Sequence, residues 1–260
     1  MKLADGNPVR HFDRIDSTNA EARRAANQGE CGPVWFWADE QTGGRGRLGR
    51  NWVSEPGNLY ATFLFSIAAS PDVAAQVSFV AALAVHDIVM ALNPDLNPRI
   101  KWPNDVLIGG AKFCGVLPEV VGSNPTRIAI GCGINVAHAP QGTPYPVTHL
   151  SSSTRGRGLT VESVLQEFAS RLSNRLKMWD EGRGFPAIRQ AWAGQALGLG
   201  GSVSAMLGAR EITGVFTGLA ADGALLLTTP GGAVISIHSG EVKFAELEIL
   251  RQEALRRKTQ

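Results

Sequence analysis

Gly43-Gly44-Arg45-Gly46-Arg47-Leu48-Gly49-Arg50, running straight into Asn51-Trp52, separates two architectures. Its inner six letters, Gly44 to Gly49, have the Gly-x-Gly-x-x-Gly spacing of a dinucleotide-binding turn, which requires a strand before it, a helix after it and an acidic residue farther on. Here the run is followed by Val53-Ser54-Glu55-Pro56-Gly57, which is turn-rich, and then by a long apolar stretch where the acid should stand. The doubly wound parallel fold is therefore set aside. A Walker loop is excluded as well, because no Gly-Lys-Ser/Thr ends the run. What is left is an anion-binding loop. Glycines free its backbone to converge N–H groups on one point, and Arg45, Arg47 and Arg50 supply charged forks for phosphate or carboxylate oxygens.

Outward from that loop the pattern is α+β. Toward the N-terminus, Asp16-Ser17-Thr18-Asn19 opens an alanine- and arginine-rich helix, with Thr18 and Glu21 at capping-box spacing, ending near Gly29. Residues 34–38 and 59–67 read as strands, and 73–92 as a long apolar-faced helix closed by Pro94 and Pro98. Strands follow at 99–101, 106–108, 113–121 and 127–136, with Gly109-Gly110 as a hairpin tip. Residues 139–158 are loop-like, and helical periodicity resumes over 161–180 and 186–196. At Leu197-Gly198-Leu199-Gly200-Gly201 the composition shifts, and 202–244 reads as four or five short strands of a small barrel. The expected division is 1–197 and 198–260, with helices laid on a mixed, mostly antiparallel sheet in the first unit.

The chain of 260 residues carries a formal charge of +2 with 18% charged residues, so no broad polycationic surface nominates DNA. Its first residues lack the apolar core of a signal peptide and no run of about 18 uninterrupted apolar residues occurs, so a cytoplasmic location away from membranes is expected. Cys31, Cys114 and Cys132 form no close pair, which suggests buried free thiols and neither a disulfide nor a zinc site. The basic tail Arg256-Arg257-Lys258 reads as a solvated end.

Three further segments hold polar residues that their surroundings do not demand. Ser17-Thr18-Asn19 suits a helix cap, and the same free N–H groups and hydroxyls could meet a ligand head group. Lys101-Trp102-Pro103-Asn104-Asp105, with Lys112 and Gly115, leaves a carboxylate and two lysines near one edge; a solvated hairpin lysine and a plain Asx turn remain alternatives. Gly131-Cys132-Gly133-Ile134-Asn135 puts glycines inside a core strand, as a bulge or a close approach to the backbone would require.

In this order, with Gln41 ahead of the arginine run, these segments resemble biotin protein ligase from about residue 10 to 245. The resemblance implies a catalytic domain akin to class II aminoacyl-tRNA synthetases followed by an SH3-like barrel. The dozen residues before the first motif leave no room for the winged helix-turn-helix of the family's repressors, so the monofunctional type is expected. The implied chemistry joins biotin to ATP as biotinyl-5′-AMP with Mg²⁺, then passes biotin to a lysine of a biotin carboxyl carrier domain. Relatives often pair, so a homodimer is among the expectations.

Residue by residue, the resemblance implies that Ser17, Thr18, Asn19, Gln41, Arg45, Gly46, Arg47, Lys112, Gly115 and Leu117 bind biotin. It implies that Arg47, Arg50, Trp52, Lys112 and Asn135 bind ATP or the adenylate, with Trp52 stacked on adenine. Lys112, Arg47 and Arg45 would be catalytic, and Asp105 would bind Mg²⁺. Residue 48 is leucine where many relatives have another arginine. Two rivals are a lipoate ligase, whose family generally lacks the Gly-Arg-Gly-Arg run with its Trp, and a non-catalytic nucleic-acid-binding module.

Overall fold

Both faces of Val34–Gln41 and Leu59–Ile67 are apolar, and a sheet covered on both sides is what they build. The computed structural model describes residues 2–153, 158–207, 210–249 and 252; the basic tail at 256–258 lies outside them. In chain order the elements are β1 Val9–Ile15, α1 Thr18–Asn27, β2 Val34–Gln41, β3 Leu59–Ile67, α2 Val77–Leu92, β4 Arg99–Lys101, β5 Asp105–Ile108, β6 Ala111–Ser123 and β7 Thr126–Ile134. There follow α3 Leu150–Ser153, α4 Val161–Trp179, α5 Phe185–Gly194, β8 Ser202–Leu207, β9 Arg210–Leu219, β10 Leu225–Thr228, β11 Val234–Ile237 and β12 Val242–Phe244.

The first seven strands form one sheet in the order β1-β2-β3-β7-β6-β5-β4, parallel only between β1 and β2. One face is buried by α2, α4 and α5, with Trp35 packed on Phe63 at 4.7 Å and on Phe168 at 5.6 Å. Helical residues 71–92 are apolar and long enough to cross a membrane by composition, at mean hydropathy 1.8, yet 72% of that window is buried inside the fold. It is the core helix. On the other face, among the described residues, the short α1 lies across β2, β3, β7 and β6, and the cavity opens at its start.

Several expectations need correction. Ser17, not Thr18, caps α1: its hydroxyl accepts the Ala20 N–H, while Glu21 is taken by Arg24 Nε at 2.7 Å, so no Thr18–Glu21 capping box forms. β1 was not expected, because an edge strand half exposed along its length shows little alternation. α2 begins at Val77, since Pro71–Gln76 is a 3₁₀ turn capped by Ser70. The 139–158 loop contains α3 and a strand-like contact between Val147 and Lys112. Cys114 and Cys132 are buried as expected, but Cys31 is exposed on the turn after α1.

The C-terminal strands form a five-stranded antiparallel sheet ordered β11-β10-β9-β8-β12. Among the described residues β11 and β12 do not pair, so the expected barrel is an open sheet; at 4 and 3 residues its edge strands are too short to close it. Trp102 joins the two sheets by donating its buried indole N–H to the Gly223 carbonyl at 3.1 Å.

Candidate active site

The glycines of β7 explain themselves once their neighbours are placed. Gly131 lies opposite Thr62 of β3 and Leu117 of β6, and Gly133 opposite Tyr60 and Gly115, in a ladder with β3 that has no register shift. No bulge is present. A Cβ on Gly131 would stand 2.1 Å from Asn19 Oδ1, and one on Gly133 would stand 2.5 Å from the Trp52 indole. The missing side chains make room for a helix start and a loop aromatic, which are thereby set directly on the sheet.

Around that face opens a cavity of about 600 Å³, a size typical of small-molecule sites. Its walls come from the start of α1, the arginine loop, Lys101 to Asp105, β6 and β7, with Gly240 to Val242 of the second sheet closing one end. Asn135 is not among the lining residues. Its amide donates to the Thr148 carbonyl at 3.0 Å, and its own carbonyl accepts the Leu150 N–H, so it anchors the stretch that carries Tyr145 to the cavity wall.

The arginine loop is a hairpin. Gln41 pairs with Ser54 and Arg45 with Asn51, while the Trp52 N–H reaches the Gly44 carbonyl at 3.0 Å and the Gly46 N–H reaches the Arg50 carbonyl at 2.7 Å. Leu48 holds its tip at φ 58°, a left-handed conformation, and is 76% exposed at the edge of the cavity wall. The three arginines diverge in environment. Arg47 is half buried, which lowers its pKa while the charge of Asp105 works the other way, and its Nη1 lies 3.5 Å from Asn104 Oδ1. Arg50 ion-pairs with Glu241 of the β11–β12 connection at 3.0 Å, and Arg45 has no ion-pair partner among the described residues.

Lys112 is no solvated hairpin lysine. Its side chain is 17% exposed, its Nζ lies 2.7 Å from Asp105 Oδ1, and it faces the rings of Trp52 and Tyr145 at 5.2 and 5.7 Å. A register shift between β5 and β6 beside it, and backbone bonds to Pro146 and Thr148, turn it off the hairpin tip into the cavity. At the opposite end, the Thr18 N–H donates to Gln41 Oε1 at 2.9 Å, Gln41 Nε2 reaches Ser54 Oγ at 2.9 Å, and Asn19 Nδ2 reaches Glu119 at 2.7 Å. Beside Ser17, the Arg24 guanidinium holds the Asp16 carboxyl down to about 2 by hydrogen bonding.

The cavity thus brings together Ser17, Thr18, Asn19, Gln41, the three arginines, Gly46, Trp52, Asp105, Lys112, Gly115 and Leu117. Thr62, Ser54 and Tyr145 were not singled out from the sequence, and Asn104 was noted only as part of the segment Lys101–Asp105. A lone threonine in the apolar run Leu59–Ile67 was a readable signal for the first; nothing marked Tyr145 within its loop. Asp105 is the carboxylate beside Lys112 and could share a cation with ligand phosphates. A separate group of His11, Asp13 and Asp39, whose ligand atoms lie within 4.8 Å of one another, is not part of the cavity wall.

An open face of a mixed sheet whose cavity gathers three arginines, a partly buried lysine and a set of hydrogen-bonding hydroxyls and amides defines a site of the class that holds an anionic ligand. Residues 12–135 match the Biotin/lipoate A/B protein ligase family and residues 198–244 match the Biotin protein ligase C terminal domain. The biotin–[acetyl-CoA-carboxylase] ligase of Paracoccus denitrificans is 41% identical over 89% of this chain and 98% of that protein. The bifunctional ligase/repressor BirA of Bacillus subtilis is 30% identical over 92% of this chain and 74% of its own length. Among solved structures, the biotin protein ligase from Aquifex aeolicus in complex with biotin and ATP superimposes with a TM-score of 0.76 at 30% identity, covering 91% of this chain and 98% of that one. The chain belongs to the biotin protein ligase family.

Proposed function

We propose that this enzyme joins biotin to ATP as biotinyl-5′-AMP and then to a lysine of a biotin carboxyl carrier domain. The observation that carries the reading is the make-up of the cavity: Lys112, Arg45 and Arg47 line it together with the hydrogen-bonded Thr18–Gln41 and Asn19 groups. A ligand with an uncharged polar ring and a carboxylate tail fits that polarity.

In the first step a biotin carboxylate oxygen attacks the α-phosphorus and pyrophosphate leaves. Two anions must meet, so cations fixed before they arrive lower the barrier where transition-state charge collects. Lys112 would bridge carboxylate and α-phosphate oxygens, and Arg45 and Arg47 would fold over them and exclude water. Ser17, Thr18 and Gln41 would hold the ureido ring, Gly46 the loop backbone against it and Leu117 one apolar wall. Trp52 would stack on the base. Asn135 would act only by anchoring the loop at 145–150. In the second step the carrier lysine's neutral amine attacks the acyl carbon, AMP leaves, and an amide remains.

Mg²⁺ fits this site. Asp105 is a partly buried carboxylate in the cavity wall, and one protein carboxylate with phosphate oxygens is a set Mg²⁺ accepts. When bound, it supplies neutralising charge to the phosphates. We divide the chain near residue 198 into a catalytic unit and an SH3-like unit that contributes Glu241 to the mouth. The reactants are water-soluble, so the reaction would run in the cytoplasm without DNA or a membrane, and a homodimer would carry two complete sites.

The test is incubation with biotin, Mg-ATP and a carrier domain, read as a mass gain of one biotinyl group on the carrier lysine. Transfer of lipoate in place of biotin, or no gain at all, would overturn the reading.

A further inference from the structure

The Lys112 ammonium is held from four sides. Asp105 Oδ1 lies 2.7 Å from Nζ, the rings of Trp52 and Tyr145 stand at 5.2 and 5.7 Å, and a Cβ on Gly115 would be 3.4 Å away. A lysine stem is flexible, and a single ion pair does not fix where its charge sits. The proposed function gives two of these neighbours other partners once the nucleotide is bound: the base for Trp52, and the ion on the phosphates for Asp105. Tyr145 has no such second task. Its hydroxyl has no hydrogen-bond partner among the described residues, so what it brings to the cavity wall is its ring.

The backbone delivers that ring. Tyr145 stands between Pro144 and Pro146, and a residue before proline is kept extended, so the segment has few conformations to choose from. The Tyr145 carbonyl accepts from Thr143 Oγ1 at 2.7 Å. One residue on, the Pro146 carbonyl accepts the Lys112 N–H at 2.9 Å, and the Thr148 N–H donates to the Lys112 carbonyl at 3.0 Å. Asn135 Nδ2 holds the Thr148 carbonyl in turn. The segment that carries the ring is thus bonded to the backbone of the residue whose side chain the ring faces, and none of these bonds involves the arginine hairpin.

We infer that Tyr145 is a positioning residue whose ring keeps the Lys112 ammonium turned into the cavity when the nucleotide draws Trp52 and Asp105 to itself. The inference rests on the proposed adenylation, in which Lys112 meets the charge that collects between carboxylate and phosphate. An ammonium is attracted to the face of an aromatic ring, more so where water is excluded. A charge already in place when the transition state forms costs no reorganisation.

The test compares Tyr145→Leu, which removes the ring, with Tyr145→Phe, which keeps it. Biotin-dependent ATP–pyrophosphate exchange should show kcat lowered about tenfold in Tyr145→Leu, the size of one partly desolvated cation–ring contact, and restored in Tyr145→Phe. The KM for ATP and the calorimetric affinity for biotin should stay within about twofold, as expected when the lost contact matters only in the transition state. In a Lys112→Ala background, where residual biotinyl-5′-AMP is read by mass in a single turnover, Tyr145→Leu should change the rate by less than about twofold, because the lysine it acts through is gone. If Tyr145→Leu does not fold, Tyr145→Ile also lacks the ring and is read the same way. An unchanged kcat in the ringless variant, failure of Tyr145→Phe to restore it, or an undiminished loss in the Lys112→Ala background would each overturn the inference while leaving the adenylation reading intact. A loss confined to the KM for ATP would make Tyr145 a nucleotide contact and overturn it as well. Wild-type protein that forms no biotinyl-5′-AMP would overturn both.

Discussion

Replacing Gly133 with alanine should damage the nucleotide half of the reaction and spare the biotin half. The added methyl would lie 2.5 Å from Trp52 Cε2 and Nε1 and 2.8 Å from Cζ2. Carbon atoms pack at about 3.5–4.0 Å, so something must move by about 1 Å or more. β7 cannot, since Gly133 sits in a strand hydrogen-bonded on one side to β3 and on the other to β6. The Trp52 ring can, because the cavity lies on its free side and the Trp52 N–H is tied only to the Gly44 carbonyl. A misplacement of that size costs about 10²-fold where the group positions a reactant, which here means kcat/KM for ATP. Because the ring has space to enter, the overpacking cost should stay at the low end of the usual range, about 1 kcal/mol. ATP–pyrophosphate exchange at varied ATP, with calorimetry for biotin and a melting curve, separates these effects. Gly115→Ala, where the nearest Trp52 atom is at 3.0 Å, should do the same more mildly, and Gly131→Ala, which strikes Asn19 at 2.1 Å, should shift the loss to biotin. An ATP KM within twofold of wild type for Gly133→Ala, or a biotin affinity that falls as far as the ATP efficiency, would refute the reasoning.

Lys112→Ala should fold and lose adenylate formation by about 10²–10³, the size of one preorganised electrostatic donor; pyrophosphate exchange within tenfold of wild type would remove the lysine from its role. Trp102→Phe deletes the buried indole bond to the Gly223 carbonyl and should cost about 1 kcal/mol, measured by denaturant unfolding, where an unchanged midpoint would show that this bond does not join the sheets. Asp16 is held at about 2 by its hydrogen bond to Arg24. Its folded pKa is depressed, so its stabilisation is present above the unfolded value of about 3.9 and is lost as pH falls toward 2. Arg24→Gln should bring the Asp16 carboxyl back toward 3.9 in an NMR titration and reduce stability above pH 4 relative to wild type; an unmoved carboxyl would show that Arg24 is not what lowers it.

What the sequence made legible was whatever had a local cause. The helix after Asp16, the strand Leu59–Ile67 and the apolar helix ending at Leu92 each announce themselves by period, and the arginine run by the chemistry of its letters. The edge strand Val9–Ile15 was not legible, because half-exposed parallel pairing leaves no alternation to read. Tyr145 was hidden for another reason. Its approach to Lys112 depends on Asn135 holding Thr148 and on Lys112 bonding Pro146, contacts between segments that only the finished fold brings together. Asn135 illustrates the same limit from the other side: the family resemblance implied a nucleotide contact, and its side chain faces the neighbouring loop.

The glycines of β7 and β6 suggest why the site is assembled as it is. An ordinary antiparallel sheet presents its own side chains on each face, fixed by a pleat that cannot be adjusted one residue at a time. At Gly115, Gly131 and Gly133 this sheet gives up those side chains, and Trp52 from the arginine hairpin and Asn19 from the helix start occupy the space. The walls nearest a ligand are then supplied by a loop and a helix start laid on the sheet floor. Thr62 and Glu119 pin Asn19 from below, and the other occupant, Trp52, is held only through its own loop. The Asn19 side of the cavity is therefore pinned to the sheet by side-chain hydrogen bonds, whereas Trp52 rests on the glycines with its indole N–H unpartnered among the described residues. A reaction that must hold a polar ring while two anions meet calls for such a fixed floor.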